Sequence, residues 1–323
     1  SNGSAALYIA AKALGWRRGD RVITTANTFL ATASCILHTG AKPEFVDINN
    51  RDYTIDINKT EDRIKKYKKK VKAIIAVDYA GHPCDWKALK FLSKKYNLKL
   101  INDNCHALGA KVDNNKQYAS KYADIVTQSY HPVKNITTGE GGSILTNNYQ
   151  LFKKILVFRN NGMFKKRNSD LEYRVNQLSM NFRITDIQCA LGISQLKKLD
   201  QFVKKRNEIA KLYDNIFKNK DNIIIPTSDK KIYNAYHLYP LLINFKKSKV
   251  SKKIFLLNLK KKGINLQVHY VPLYYHRIFS KFTNKKLLPI TENFYKQEVS
   301  LPIYPNLKTI HIKKVANEIL NLI

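Results

Sequence analysis

Short apolar runs alternate with helix-patterned segments through the first two hundred residues, and this alternation leaves the chain few architectures to choose from. "RVITT" reads as a strand between the helix-forming "AALYIAAKAL" and "TFLATASCILHTG", and "KPEFVDI" reads as the next strand. "VKAIIAVD" is a continuous β-branched run of the kind buried on both faces, "WKALKFLSKKYN" is helical, and "LKLIND" and "ADIVTQS" return to strand. Strand and helix in turn imply βαβ units around a mostly parallel sheet flanked by helices. Near Asn181 the pattern changes. "TDIQCALGISQLKKLDQFVKKRNEIAKLYDNIF" keeps apolar residues at helical spacing over many turns and predicts two helices in succession. "YHLYPLLINF", "NLQVHYVPL" and a helical tail then predict a smaller α+β unit. The expected division is a large α/β unit over residues 1–210 and a small one over 211–323. The two should pack tightly, because no repeat or low-complexity linker separates them.

The formal charge of +33 raises the question of a nucleic-acid partner, since basic proteins gain affinity by releasing counterions from phosphates. The excess is mostly lysine spread along the chain, with no arginine-rich stripe, zinc-finger spacing or RNP-like run. We read it as composition and solubility with some attraction for anionic substrates, and expect no nucleic-acid partner. No apolar run approaches the roughly eighteen residues that a spanning helix needs, so no membrane partner is expected either. Cys35, Cys84, Cys105 and Cys189 stand far apart without metal-ligand spacing, as reduced thiols in a cytoplasmic protein would. The chain opens on "SNGSAAL", inside what reads as a motif, so a preceding segment is expected.

Most lysines come in runs such as "IKKYKKK", which read as solvated faces. Lys134 does not. It stands in "SYHPVKNITTGEGG" with no charged neighbour in sequence until Glu140. In an open α/β sheet, ligands collect at the carboxyl ends of the strands. Asp103 closes "LKLIND", Ser129 closes "ADIVTQS", and Lys134 follows five residues later in the loop. "SNGSAAL" places Gly3 and Ser4 at a helix opening, where free N–H groups and the dipole bind phosphate. A phosphate cup, a strand-end aspartate and an isolated lysine point together to pyridoxal 5′-phosphate (PLP). Its aldehyde needs an amine for a Schiff base, and its pyridine nitrogen needs a carboxylate to stay protonated. Ser129 can donate to the phosphate and Phe29 can stack on the ring. Taken singly, Asp103 also reads as a cap, His106 and Phe29 as core residues, and Lys134 as a surface lysine.

Six ordered blocks turn this pattern into a family resemblance. "SNGSAAL", "ANTFLATASCILHTGAKPEFVDI", "INDNCHALGA", "SYHPVKNITTGEGGSILTN", "MNFRITDIQCALGISQL" and "LPIYPNL" are similar to the blocks of the DegT/DnrJ/EryC1/StrS sugar aminotransferases, along nearly the whole chain. The resemblance implies the PLP-dependent transferase fold type I, with a smaller C-terminal α+β domain. It implies Lys134 as the Schiff-base lysine and proton shuttle, Asp103 at the pyridine nitrogen, His106 on the cofactor's hydroxyl side and Phe29 on the ring face. Ser4, the Ala5 amide and Ser129 would hold the phosphate, joined by Asn181 from the partner subunit of a homodimer with shared active sites. Arg183 and His269 lie in similar blocks and are candidates for touching a nucleotide-sugar.

The chain departs from the family at Ser179, where glycine is usual, at Asn161, where histidine is common, and in the "INDN" opening. The resemblance also implies on the order of fifty further residues before Ser1. The implied reaction is amino transfer from glutamate to a 4-keto-6-deoxy nucleotide-sugar. "HPVKNITTGEGG" with "VHYVPLY" is most similar to the branch acting on a UDP-linked N-acetylated sugar toward pseudaminic acid of bacterial surface glycans. The D-epimer, GDP- or dTDP-linked sugars, and a catalytically silent regulator of the same fold are the alternatives. A 3-dehydratase of this fold carries histidine in place of the lysine, so Lys134 speaks against it.

Overall fold

The computed structural model describes residues 1–165, 172–227 and 229–323. In chain order, α1 (Gly3–Ala13) leads to β1 (Arg21–Thr25), α2 (Ala31–Leu37), β2 (Lys42–Val46), α3 (Ile57–Tyr67), β3 (Val71–Val77), α4 (Trp86–Lys95) and β4 (Lys99–Asp103). A two-residue strand β5 (Lys111–Val112) and a short helix α5 (Tyr118–Tyr122) precede β6 (Ile125–Ser129), β7 (Gly142–Leu145) and α6 (Tyr149–Arg159). Next come β8 (Met163–Lys165), β9 (Tyr173–Val175), α7 (Asp186–Leu196) and α8 (Leu199–Phe217). The remainder holds β10 (Ile223–Ile224), β11 (Ile232–Tyr233), β12 (Tyr239–Ile243), α9 (Lys252–Lys261), α10 (Pro289–Gln297), β13 (Glu298–Leu301) and α11 (Thr309–Leu320).

The main sheet has the order β2-β1-β3-β4-β6-β7. All pairs in it are parallel except β6 with β7. Neighbouring residues along each strand send their side chains to opposite faces. Ile23, Ile74, Leu100 and Val126 pack with Ile64, Leu89 and Leu92 of α3 and α4. Val22, Ala73, Ile75, Ile101 and Ile125 pack with Leu7, Ile36 and Ile155 of α1, α2 and α6. Both faces are therefore apolar, which is why β3 reads as an unbroken hydrophobic run. The chain crosses from β1 outward to β2 and back to β3, so a crevice opens at the carboxyl end of the sheet at that change of direction.

Local chemistry starts the helices where the chain leaves the strands. Asp56, Asp85 and Asn148 accept an N–H in the first turn of α3, α4 and α6. Thr185 and Gln188 close a capping box on α7. Along α8, Val203, Arg206, Ile209, Ala210, Tyr213 and Phe217 form one buried stripe. From Ile209 onward that stripe joins a separate core with β12, α9, β13 and α11. The small sheet has the order β10-β12-β13. "NLQVHYVPL" forms no strand of its own and pairs with β13 through the isolated bridge of Gln267 with Ser300. Among the described residues no helix is long and apolar enough to cross a membrane.

Candidate active site

The start of α1 is wedged between the ends of β6 and β7. A Cβ on Gly3 would stand 2.8 Å from Ser129 Cβ, and one on Gly142 would stand 2.4 Å from the Asn2 carbonyl carbon. Only glycine at both places lets the helix end come this close. The result puts the Gly3 and Ser4 amides and the Ser129 hydroxyl around one cavity. Helix-end amides of this kind favour an anion. Asn2 caps α1 by accepting the Ala5 N–H at 2.8 Å. The Ala5 amide is engaged by that cap, and the residue lines an adjoining depression.

Across the cavity, Asp103 ends β4 with 5% of its surface exposed. Thr32 Oγ1 donates to its Oδ2 at 2.7 Å, and the Cys105 N–H reaches Oδ1 at 3.3 Å. Thr32 is held in turn by Thr28 at 2.8 Å. Phe29 is half exposed, with its ring 6.2 Å from that of Tyr270, so it is a cavity wall and not core.

Lys134 projects from a loop pinned on its far side. Asn135 Nδ2 donates to the Leu108 and Ala235 carbonyls at 3.0 and 3.2 Å, and the Thr138 N–H donates to Tyr130 O at 3.0 Å. Lys134 Nζ lies 3.4 Å from His237 Nε2. Burial pushes the amine below its ordinary pKa, partly offset by the neighbouring Cys105 thiol and Asp103 carboxylate. Lowering favours the free amine, which is the nucleophilic form.

Neutral histidines surround it. The Ala80 N–H donates to His106 Nδ1 at 3.3 Å, so Nε2 carries the proton and donates to the Tyr270 hydroxyl at 2.9 Å. Burial, with Lys134 nearby, pushes His106 and His237 well below the ordinary histidine range. The same causes lower His269 to about 4.

One cavity of about 450 Å³ thus gathers Ser4, Phe29, Asp103, His106, Ser129, Lys134 and His269. A second, of about 470 Å³, shares Val133, Lys134, His237 and His269 with it, so the amine stands between two chambers. Asn181 and Arg183 are not brought in. Both sit on the exposed segment before α7, where Arg183 donates to Asn160 Oδ1 and its N–H to Asn181 Oδ1. Of the departures, Ser179 donates to Phe158 O at 2.6 Å, and Asn161 takes a left-handed backbone that asparagine tolerates. Sequence reading missed Thr32, His237 and Tyr270. Thr32 lies in a quoted block, whereas His237 meets Lys134 across 103 residues and carries no local signal.

These residues fit PLP: an anion cradle, an aromatic wall, a buried carboxylate and an enclosed amine converge on a cavity of suitable size. Fold and site together define a PLP-dependent transferase of fold type I. The sequence pattern of the DegT/DnrJ/EryC1/StrS aminotransferase family matches residues 1–320, and the chain belongs to that family. It is 40% identical over 324 residues to the UDP-4-amino-4,6-dideoxy-N-acetyl-beta-L-altrosamine transaminase of Campylobacter jejuni serotype O:2, covering 100% of this chain and 84% of that one. It is 32% identical over 324 residues to the GDP-perosamine synthase of Escherichia coli O157:H7, covering 98% and 84%. Among solved structures it superposes with a TM-score of 0.91 on Helicobacter pylori PseC, an aminotransferase involved in the biosynthesis of pseudoaminic acid. That match has 36% identity and covers 99% of this chain and 84% of the other. The enzyme is a nucleotide-sugar aminotransferase, and its cofactor is PLP.

Proposed function

We propose that the enzyme transfers an amino group from glutamate to a UDP-linked N-acetylated 4-keto-6-deoxy sugar, on the way to pseudaminic acid of bacterial surface glycans. The observation that carries this reading is similarity to the Campylobacter transaminase along the whole of this chain, at 40% against 32% for the GDP-sugar relative. The likeness to PseC supports it. Four free thiols support placing the enzyme in the reducing cytoplasm. We further take residues 1–210 as the cofactor-binding unit and 211–323 as a smaller one, supported by the separate core that begins at Ile209.

When bound, PLP supplies an aldehyde for the amine to hold and a ring that withdraws electrons from the reacting carbon. The rest falls to this chain. Lys134 would hold the aldehyde end and, once released, would move the proton at Nζ. Asp103, anchored by Thr32, would hold the ring nitrogen protonated. The Gly3 and Ser4 amides with Ser129 would hold the phosphate, Phe29 would cover the ring, and His106 would lie on the hydroxyl side. Asn181 would join the phosphate site of the neighbouring subunit. The exposed apolar side chains of Val175, Leu178, Met180, Ile187, Leu191 and Ile193 along that segment support its burial in a homodimer.

The test supplies PLP, glutamate, both 5-epimers of the UDP-N-acetyl-4-keto sugar and a GDP-linked 4-keto-6-deoxy sugar, with products read by mass spectrometry. An aminated L-sugar is expected, and its loss in Lys134→Ala assigns the lysine. Amination of the D-epimer alone moves the enzyme to another glycan. Amination of the GDP-sugar alone would refute the UDP reading.

A further inference from the structure

His269 is held at three points. Its N–H donates to Glu298 Oε2 at 3.0 Å, its carbonyl accepts the Tyr79 hydroxyl at 2.5 Å, and its Nδ1 lies 2.8 Å from Ser300 Oγ. Ser300 Oγ in turn lies 2.5 Å from Glu298 Oε1. Glu298 and Ser300 are buried on β13, whereas His269 lines both chambers beside Lys134.

One hydroxyl proton decides the chain of bonds. An ionised Glu298 can only accept, so Ser300 gives it the proton and must accept from His269. The His269 proton therefore sits on Nδ1. A neutral ring then carries a bare lone pair at Nε2, and among the described residues no hydrogen bond reaches that atom. Burial raises the Glu298 carboxyl to about 7 even with the Ser300 hydroxyl, the Lys252 ammonium and the His269 N–H favouring the anion, so the chain of bonds holds at pH above about 7, where Glu298 is ionised, and the measurements below are taken there. Lys252 is fixed beside it by donating to Tyr295 O.

We propose that Glu298 and Ser300 are positioning residues that fix His269 as a hydrogen-bond acceptor, taking a hydroxyl or amide N–H of the sugar substrate at Nε2. The sugar carbon that receives nitrogen must come within reach of Lys134, and the chambers that Lys134 lines are the ones His269 lines. A sugar ring offers hydroxyl donors, and an N-acetylated one offers an amide N–H as well. The inference rests on the reading of a keto-sugar as amino acceptor.

Glu298→Gln tests it almost isosterically. The His269 N–H still requires an acceptor, so the glutamine carbonyl must take the Oε2 place and its amide must face Ser300. Ser300 then turns its hydroxyl to His269 Nδ1, and the ring proton moves to Nε2, where it confronts a donor. Nitrogen spectra of protein labelled with ¹⁵N-histidine distinguish the tautomers, with the resonance assigned by His269→Gln. The expected result is Nδ1–H in the parent and Nε2–H in Glu298→Gln. The KM for the keto-sugar should rise about tenfold and kcat less, with the glutamate KM within about twofold.

Ser300→Ala gives a second measure, because it removes the relay atom without adding a donor. Its sugar KM should rise less than that of Glu298→Gln. An unchanged tautomer in Glu298→Gln, or a reversed tautomer with an unchanged sugar KM, overturns the proposal. If the parent aminates only a GDP-linked sugar, the KM comparison moves to that sugar and only the nucleotide assignment fails. If it aminates no keto-sugar, the acceptor role falls with the function, while the spectra still decide the relay.

Discussion

Gly142→Ala should weaken cofactor binding as well as the fold. The added Cβ would stand 2.4 Å from the Asn2 carbonyl carbon, 2.5 Å from its oxygen and 2.7 Å from the Gly3 nitrogen. Ordinary contact between carbons needs about 3.5 Å, so α1 must retreat from β7 by roughly 1 Å. The obstacle is backbone, so no rotamer relieves it. Overpacking of this size costs about 1–3 kcal/mol of stability. The retreat also draws the Gly3 and Ser4 amides away from Ser129, and losing one hydrogen bond to a charged phosphate costs about 1.5–3 kcal/mol. That predicts a PLP Kd raised roughly ten- to hundredfold. Titration of PLP absorbance gives the Kd, and thermal melting gives the stability. Gly263→Ala is the control. Its positive φ imposes strain, but its Cβ meets nothing within 4 Å and lies outside both chambers. It should lower Tm while leaving the Kd unchanged. A Gly142→Ala enzyme that binds PLP like the parent would refute the cradle.

Three further perturbations probe the rest of the site. Thr32→Val removes the 2.7 Å bond to Asp103 Oδ2 and should lower kcat about tenfold without loss of bound PLP, measured by turnover and absorbance together. His237 is held below its unfolded pKa, so it favours folding above about pH 6.5 and loses that contribution as pH falls. His237→Gln should therefore flatten the fall of stability below pH 6.5 by about 1.4 kcal/mol per pH unit in denaturant titrations, and an unchanged slope would deny the buried neutral histidine. Ile187→Glu places a charge on the exposed face of α7 and should yield monomers by light scattering with weakened PLP binding, because Asn181 would no longer reach its neighbour.

Much of this was legible in the residues themselves. The β-branched run of β3 and the alternating helices announced a parallel sheet because their periodicity follows from which faces are buried. Asp103, Ser129 and Lys134 were legible because strand ends are where such sheets place ligands. The engagement of the Ala5 amide was not legible, since a helix start offers several amides and only the geometry of Asn2 shows which one the cap takes. Phe29 was ambiguous for a related reason: an aromatic after a strand looks the same in sequence whether it enters the core or faces a cavity. The relay of Glu298, Ser300 and His269 left no trace, because β13 and the segment before it meet only through the tertiary fold.

What the sequence determined by itself is what local periodicity and backbone chemistry can encode: the order of strands and helices, the caps, the glycines and the isolated lysine. What only the tertiary structure decided is the environment of each group. Burial lowers the pKa of Lys134 and so favours the free amine, and His237, 103 residues away in sequence, stands 3.4 Å off. Tautomers and proton positions depend on partners contributed by distant segments, and the desolvation that sets them exists only once the chain has closed around the site.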